Sequence, residues 1–156
     1  MSKSIARVER AAQAAGLSIT VKRMGESTRT AEEAARQCGC GVAQIVKSLI
    51  FAGKTSHRLY LFLVAGDRML DMDKAAALAG EALERADPRV IRDETGFAIG
   101  GVSPIGHKIE IPCFADATLQ RFETVWAAAG AHDAVFEAGT AALISAANAT
   151  VAELKA

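Results

Sequence analysis

The stretch that decides the fold is IVKSLIF at residues 45–51, an apolar run interrupted by Lys47 and the serine after it. Its branched and aromatic residues predict a β-strand, and GKTS at residues 53–56 suits a hairpin connection to a second apolar strand, LYLFLV at residues 59–64. Alternation places Lys47 on the same face as Ile45, Leu49 and Phe51. Because that face is expected to be core, Lys47 is a candidate partner for a phosphate, a carboxylate or an oxyanion. The alternative at this point is a lysine that snorkels at a strand edge.

The segments around this hairpin predict a mixed α/β fold. Helix caps and apolar periodicity indicate helices at residues 4–15, 31–37, about 72–79, 88–95, 117–121 and 140–154. Further strands are expected near residues 19–21, 97–99, 109–113, 125–128 and 134–136. Helices and strands do not alternate regularly, which disfavours a doubly wound parallel sheet. We expect a largely antiparallel, partly closed sheet with flanking helices.

Length and composition bound the class of protein. The chain has 156 residues, of which 51% are hydrophobic and 23% charged, so residues 1–156 are expected to form a single domain. No apolar run is long enough for a membrane span and residues 1–10 lack a secretory apolar region, so a cytoplasmic protein is expected. Cys38 and Cys40 could bind a metal ion, but no nearby ligand completes a set, and we expect reduced thiols and neither metal nor cofactor.

Charge is unevenly distributed along the chain although the formal net charge is zero. Residues 1–58 contain ten Lys and Arg against four acidic residues, and the remainder contains eight against fourteen. If the early basic residues converge in space, they form a patch near Lys47 that suits a few phosphates but not a long duplex. The alternative is a set of scattered, solvated charges.

A glycine-rich loop at residues 100–107, GGVSPIGH, is the second unusual feature. Glycines let a ligand approach backbone N–H groups closely, and such groups can hold a phosphate or an oxyanion. The loop matches neither a Walker loop nor a dinucleotide fingerprint, and an ordinary tight connection remains open. His57, His107 and Asp133 are candidates for proton transfer, but no serine or cysteine lies in a nucleophile motif.

Three segments together resemble the YbaK/ProX family of aminoacyl-tRNA deacylases: TAEEAA at residues 30–35, VAQIVKSL at residues 42–49 and TGFAIGGVSPIGH at residues 95–107. The order and spacing match from about residue 17 to the C-terminus. Members of this family are free-standing relatives of the editing domain inserted in bacterial prolyl-tRNA synthetase. The resemblance therefore implies a YbaK/ProRS-associated-domain-like fold and hydrolysis of amino acids wrongly attached to tRNA, chiefly tRNA for proline.

The resemblance also implies roles for individual residues. The essential lysine of the family falls on Lys47, and the loop that cradles the substrate falls on Gly100 and Gly101 with Ser103 and Pro104. Two further positions carry weaker claims to substrate binding: Thr30, at the start of the capped helix, and Ser48, next to the lysine.

The chain departs from the cysteine-specific branch of the family at two places. An aromatic residue of that branch falls near Val21, and an acidic residue falls near Ala134, with Asp133 beside it. Alanine, serine, threonine, cysteine and 2-aminobutyrate all stay open as the amino acid removed, although the departures speak against cysteine.

The expected function is thus a trans-editing ester hydrolase that acts on the aminoacylated acceptor end of tRNA. Prolyl-tRNA synthetase is a candidate partner, and neither DNA nor a membrane is expected as one. Two alternatives differ in class. One is a non-catalytic module that binds a tRNA end or a synthetase, and the other is an enzyme whose Lys47 forms a Schiff base with a small carbonyl compound.

Overall fold

The computed structural model describes residues 2–156 and places the 45–64 hairpin at the centre of the molecule. The helices are α1 (Lys3–Ala14), α2 (Ala31–Cys38), α3 (Met72–Ala79), α4 (Pro88–Thr95) and α5 (Thr140–Ala146). The strands are β1 (Val21–Arg23), β2 (Val46–Gly53), β3 (Leu59–Ala65), β4 (Leu83–Arg85), β5 (Cys113–Asp116), β6 (Thr124–Ala128), β7 (Ala134–Gly139) and β8 (Thr150–Ala152). Two short 3₁₀ helices lie at Val42–Gln44 and Ala117–Arg121.

The eight strands form two sheets, and the predicted mixed α/β fold is confirmed. The larger sheet has the order β4-β2-β3-β5-β8, with antiparallel β4-β2-β3 and parallel pairing of β3 with β5 and β5 with β8. The smaller sheet, β1-β7-β6, is antiparallel throughout. A single bridge between Ile45 and Trp126 connects the two sheets. The sheet system is therefore partly closed, as expected.

Strand β3 is buried along its whole length because both of its faces are covered. Leu61 and Leu63 point into the main core, which they share with α1 and the smaller sheet. Phe62 and Val64 belong to a second cluster with residues of α3 and the C-terminal segment. A strand buried on both faces reads as the continuous apolar run seen in this sequence.

The predicted helix boundaries are confirmed where capping residues define them. Thr30, Asp71 and Asp87 are the N-caps of α2, α3 and α4, and each accepts a hydrogen bond from a backbone N–H of the first turn. The same helices end at glycines in the left-handed conformation, Gly39, Gly80 and Gly96.

Three predicted segments are wrong. Residues 97–99 form no strand because the Thr95 hydroxyl binds the Phe97 N–H and turns the chain directly after α4. Residues 109–112 are not a strand either, since the Ile109 N–H bonds to the carbonyl of Glu94, and β5 begins only at Cys113.

The final predicted helix, 140–154, ends at Ala146. Asn148 adopts the left-handed conformation with φ 51°, so the chain leaves the helix there and pairs with β5 as β8. Among residues 2–156, no helix is both long and apolar enough to span a membrane.

Candidate active site

A cleft of about 720 Å³ lies between the free edge of β2 and strand β6. The cleft exists because β2 pairs with β4 only from Phe51 onward, while the Ile45–Trp126 bridge closes its other end. Between these two points no strand among residues 2–156 pairs with this edge of β2. The N-terminus of α2 and the turn at Ile99 and Gly100 complete the walls.

Lys47 is half-buried at this cleft, and its Nζ donates a hydrogen bond to the backbone carbonyl oxygen of Arg68. Within residues 2–156 it forms no salt bridge with a carboxylate, so its charge is not neutralised by the protein. An ammonium group has three N–H donors, and the contact to Arg68 occupies one of them. The face it shares with Leu49 and Phe51 packs against the second cluster, not the main core, which explains why the lysine is only half-buried.

Ser48 presents its backbone to the cleft. The Gly66 N–H bonds to the Ile45 carbonyl oxygen at 2.8 Å, and the Gly53 N–H bonds to the Arg58 carbonyl oxygen at 2.9 Å. Odd-numbered residues of β2 therefore bond to β3, and alternation directs the N–H and C=O of Ser48 toward the free edge. The Ser48 Oγ is buried and has no hydrogen-bond partner in the structure.

The glycine-rich loop contains residues that line the cleft and residues that support it. Gly100, with φ 92°, and Val102 line the cleft, whereas Gly101, Ser103 and Pro104 are buried and do not. The Ser103 Oγ accepts a hydrogen bond from the Ile105 N–H at 3.2 Å, and the Ser103 carbonyl oxygen lies 2.7 Å from His107 Nε2. These two contacts join residues of the loop to one another and hold its conformation.

Of the residues predicted for the site, the structure brings Thr30, Lys47, Ser48 and Gly100 together at the cleft. The Thr30 Oγ1 is engaged in the helix cap, since it accepts from the Glu33 N–H at 3.1 Å and donates to Glu33 Oε1 at 3.0 Å.

The proton-transfer candidates lie elsewhere. His57 is in the exposed hairpin turn, and Asp133 forms a salt bridge of 2.9 Å with Arg23. His107 is half-buried behind the loop, and its desolvation there lowers the pKa of its imidazole. None of the three lines the cleft.

Arg29, Met69, Arg85 and Ile99 also line the cleft, and the sequence analysis did not single them out as site residues. Met69 and Ile99 are apolar yet 72% and 54% exposed. Among the ten basic residues of the first 58, which could have formed a patch near Lys47, Arg29 is the one that lines the cleft with it.

Comparison with known proteins identifies the family of this chain. The aminoacyl-tRNA editing domain family matches residues 25–146. The crystal structure of a protein proposed to be a trans-editing enzyme for prolyl-tRNA synthetase is 43% identical, with a TM-score of 0.89 over 100% of this chain and 99% of that one.

Two curated relatives are similar over most of their length. The uncharacterized protein YwhH of Bacillus subtilis is 33% identical over 111 residues, which are 71% of this chain and 70% of that protein. EbsC of Enterococcus faecalis, a proposed Cys-tRNA(Pro)/Cys-tRNA(Cys) deacylase, is 27% identical over 130 residues, 83% of this chain and 79% of its own. The chain therefore belongs to the aminoacyl-tRNA editing domain family and is an aminoacyl-tRNA deacylase.

Proposed function

We propose that the chain removes a small, wrongly attached amino acid from tRNA for proline, acting in trans as a single-domain enzyme. The candidates are alanine, serine, threonine, cysteine and 2-aminobutyrate. The observation that carries the proposal is the un-neutralised ammonium of Lys47 beside the free edge of β2, in a cleft that also contains Gly100. The chain is similar to a protein proposed to be a trans-editing enzyme for prolyl-tRNA synthetase and to a proposed Cys-tRNA(Pro)/Cys-tRNA(Cys) deacylase. These similarities support tRNA for proline as the substrate.

The reaction is hydrolysis of an ester that is already activated, so the protein mainly has to place water and stabilise the oxyanion. Water adds to the ester carbonyl, the bond to the ribose oxygen breaks, and the products are the free amino acid and tRNA with both terminal hydroxyls. In this proposal Lys47 holds the substrate carbonyl or the terminal phosphate with the N–H donors that Arg68 leaves free. The backbone at Ser48 and Gly100 orients the aminoacyl group.

Selection among amino acids depends on the size of the cleft. A missing methylene changes binding by only about 1–3 kcal/mol, so the pocket excludes residues that are too large more readily than it rejects smaller ones. We therefore propose a preference for a set of small amino acids over one strict substrate.

The deciding experiment is deacylation of a panel of tRNAs charged with each candidate amino acid and with proline. We expect rapid release of at least one small amino acid from tRNA for proline. Lys47→Ala should lower kcat/KM at least about 100-fold, because it removes a donor to the reacting ester or its phosphate. Lys54→Ala, in the exposed hairpin turn, is the matched control.

Two outcomes would contradict the proposal. Equal background rates for the wild type and Lys47→Ala would favour a non-catalytic module that binds a tRNA end or synthetase. Trapping of a substrate adduct on Lys47 by borohydride would favour the Schiff-base alternative.

Charged tRNA is used in the cytoplasm, and we propose that the enzyme works there, with prolyl-tRNA synthetase as its candidate partner. Co-elution of the two proteins with tRNA tests that association.

A further inference from the structure

Arg29 occupies a fixed place at the rim of the cleft. Immediately before it, the buried Thr28 donates two hydrogen bonds to the carbonyl oxygen of His132, from its N–H at 2.7 Å and from its Oγ1 at 3.0 Å. Immediately after it, Thr30 caps α2. The backbone of Arg29 is therefore held on both sides, so only its side chain has to be ordered when a ligand binds.

The side chain of Arg29 lies along Gly100. A Cβ atom built on Gly100 would stand 3.0 Å from Cγ, 3.2 Å from Cδ and 3.2 Å from Nε of Arg29. Any larger residue at position 100 would displace this side chain, and its φ of 92° already favours glycine. The glycine thus makes room for an arginine and does more than allow a turn.

The guanidinium of Arg29 is exposed, and within the described residues 2–156 it has neither a salt bridge nor a side-chain hydrogen bond. Three arginines are paired, Arg23 with Asp133 and both Arg68 and Arg121 with Asp67, whereas Arg85, which also lines the cleft, forms no salt bridge within residues 2–156. Contact with Gly100 distinguishes Arg29 from Arg85. The charged residues that line the cleft are Arg29, Glu32, Lys47 and Arg85. The residues that line the cleft therefore carry more positive than negative charges, and the Arg29 side chain lies next to Gly100.

We propose that Arg29 binds the 5′-phosphate of the terminal adenosine of the substrate and so positions the aminoacylated ribose at Lys47. A guanidinium presents its donors as a planar fork that matches two phosphate oxygens, which suits it to this role better than a lysine. This inference rests on the proposed function, because it assigns one more contact to the same substrate. With the phosphate bound by Arg29, Lys47 is left with the ester carbonyl, the other of the two contacts proposed for it.

The first test measures binding without hydrolysis. Affinities of adenosine 5′-monophosphate and of adenosine are compared by calorimetry for the wild type, Arg29→Gln and the control Arg10→Gln, an exposed arginine of α1 outside the cleft. We expect the wild type and Arg10→Gln to prefer the monophosphate about tenfold, and Arg29→Gln to lose that preference while keeping its affinity for adenosine. A retained preference, an equal loss for both compounds, or a wild type without any preference would overturn the proposal.

The second test uses turnover. For the charged tRNA that the wild type deacylates best, Arg29→Gln should raise KM and leave kcat nearly unchanged, and it should reduce the slope of log kcat/KM against log salt by about 0.7. An unchanged salt slope would overturn the assignment. Failure of the wild type to deacylate any tRNA would instead reject the proposed function, and the binding test would still decide on the phosphate contact.

Discussion

His107 shows how a single half-buried side chain links the stability of the glycine-rich loop to pH. Its Nε2–H donates to the carbonyl oxygen of Ser103 and its ring packs edge-on to Phe97, so it supports the glycine-rich loop from behind. Burial lowers the pKa of His107 below its ordinary value of 6.5. The unfolded chain then binds the proton more readily than the folded protein does, and low pH favours unfolding.

The stability that His107 contributes is accordingly complete above pH 6.5 and is lost as the pH falls through its lower folded pKa. We expect His107→Gln, which keeps an N–H donor but does not titrate, to flatten this part of the pH profile. Urea unfolding at a series of pH values measures it, with the exposed His132→Gln as control. A profile for His107→Gln that is as steep as the wild type's would contradict the assignment.

Among single residues, Lys47 could be identified as a candidate from the sequence because a charge inside an apolar strand is unusual in any fold. Arg29 was recognised only as one of ten basic residues among the first 58. Its contact with Gly100, which is distant in the chain, distinguishes it from the others, and no local pattern records such a contact. The burial of Ser103 and Pro104 was hidden for the same reason, since residue type alone does not tell the lining of a loop from its support.

The β2–β3 hairpin depends on one carboxylate from outside it. Glu81 accepts hydrogen bonds from the N–H of Thr55 at 3.0 Å, the N–H and Oγ of Ser56 at 2.9 and 2.6 Å, and the hydroxyl of Tyr60 at 2.7 Å. The bonds from Ser56 and Tyr60 lower the pKa of Glu81 to about 2, and the same contact raises the pKa of Tyr60. The stabilisation is therefore present above pH 4.5 and is lost as the pH falls through about 2.

Replacing Glu81→Gln should reduce the free energy of unfolding at neutral pH and lower the pKa of Tyr60 toward 10, its ordinary value. Tyr60 is the only tyrosine of the chain, so the tyrosinate absorbance reports this pKa directly. Glu84→Gln, an exposed residue of β4, serves as the control for stability. An unchanged tyrosine titration in Glu81→Gln would mean that the hydrogen bond does not hold the hairpin in solution.

Elements with local signals were predicted well, and elements without them were missed. The capped helices α2, α3 and α4 were predicted correctly because an N-cap side chain and a C-terminal glycine can both be recognised within a short stretch of sequence. Strands β4 and β8 have three residues each and were not predicted. They are strands because they pair with β2 and β5, and this pairing leaves no signal in a short stretch of sequence. The alanines at 141–147 have a high helical propensity, so the predicted helix was extended past Asn148. In the structure the chain has already left the helix there, with Asn148 in the left-handed conformation.

At the scale of the whole molecule, the C-terminal segment is tied to the loop that holds Lys47. The buried carboxylate of Asp116 accepts hydrogen bonds from the N–H groups of Leu154 at 2.7 Å and Lys155 at 3.2 Å. The same segment bonds to residues 69–71, through Asp71 N–H to Leu154 O at 2.7 Å and Ala156 N–H to Met69 O at 2.9 Å. The carbonyl that binds Lys47 belongs to the residue just before this stretch.

We expect Asp116→Asn to lower the free energy of unfolding by about 1–3 kcal/mol, because an amide cannot accept all the bonds that the carboxylate accepts. Hydrogen exchange should accelerate at Leu154 and Lys155, and deacylation should slow because the support of Lys47 loosens. Exchange measured by NMR or mass spectrometry tests this, with the exposed Asp93→Asn as control. Faster exchange that is uniform over the whole chain would indicate a global loss of stability and not a local tether.

The gap beside β2 has a consequence for aggregation. An unpaired strand edge is a template onto which another chain can add, and folded proteins commonly guard such edges with inward-facing charges and short exposed lengths. The opening here is limited by the Ile45–Trp126 bridge at one end and by β4 at the other, and Lys47 carries its charge into the strand at that point. We therefore expect Lys47 to disfavour pairing of this edge with a second copy of the chain, although the edge stays open to solvent.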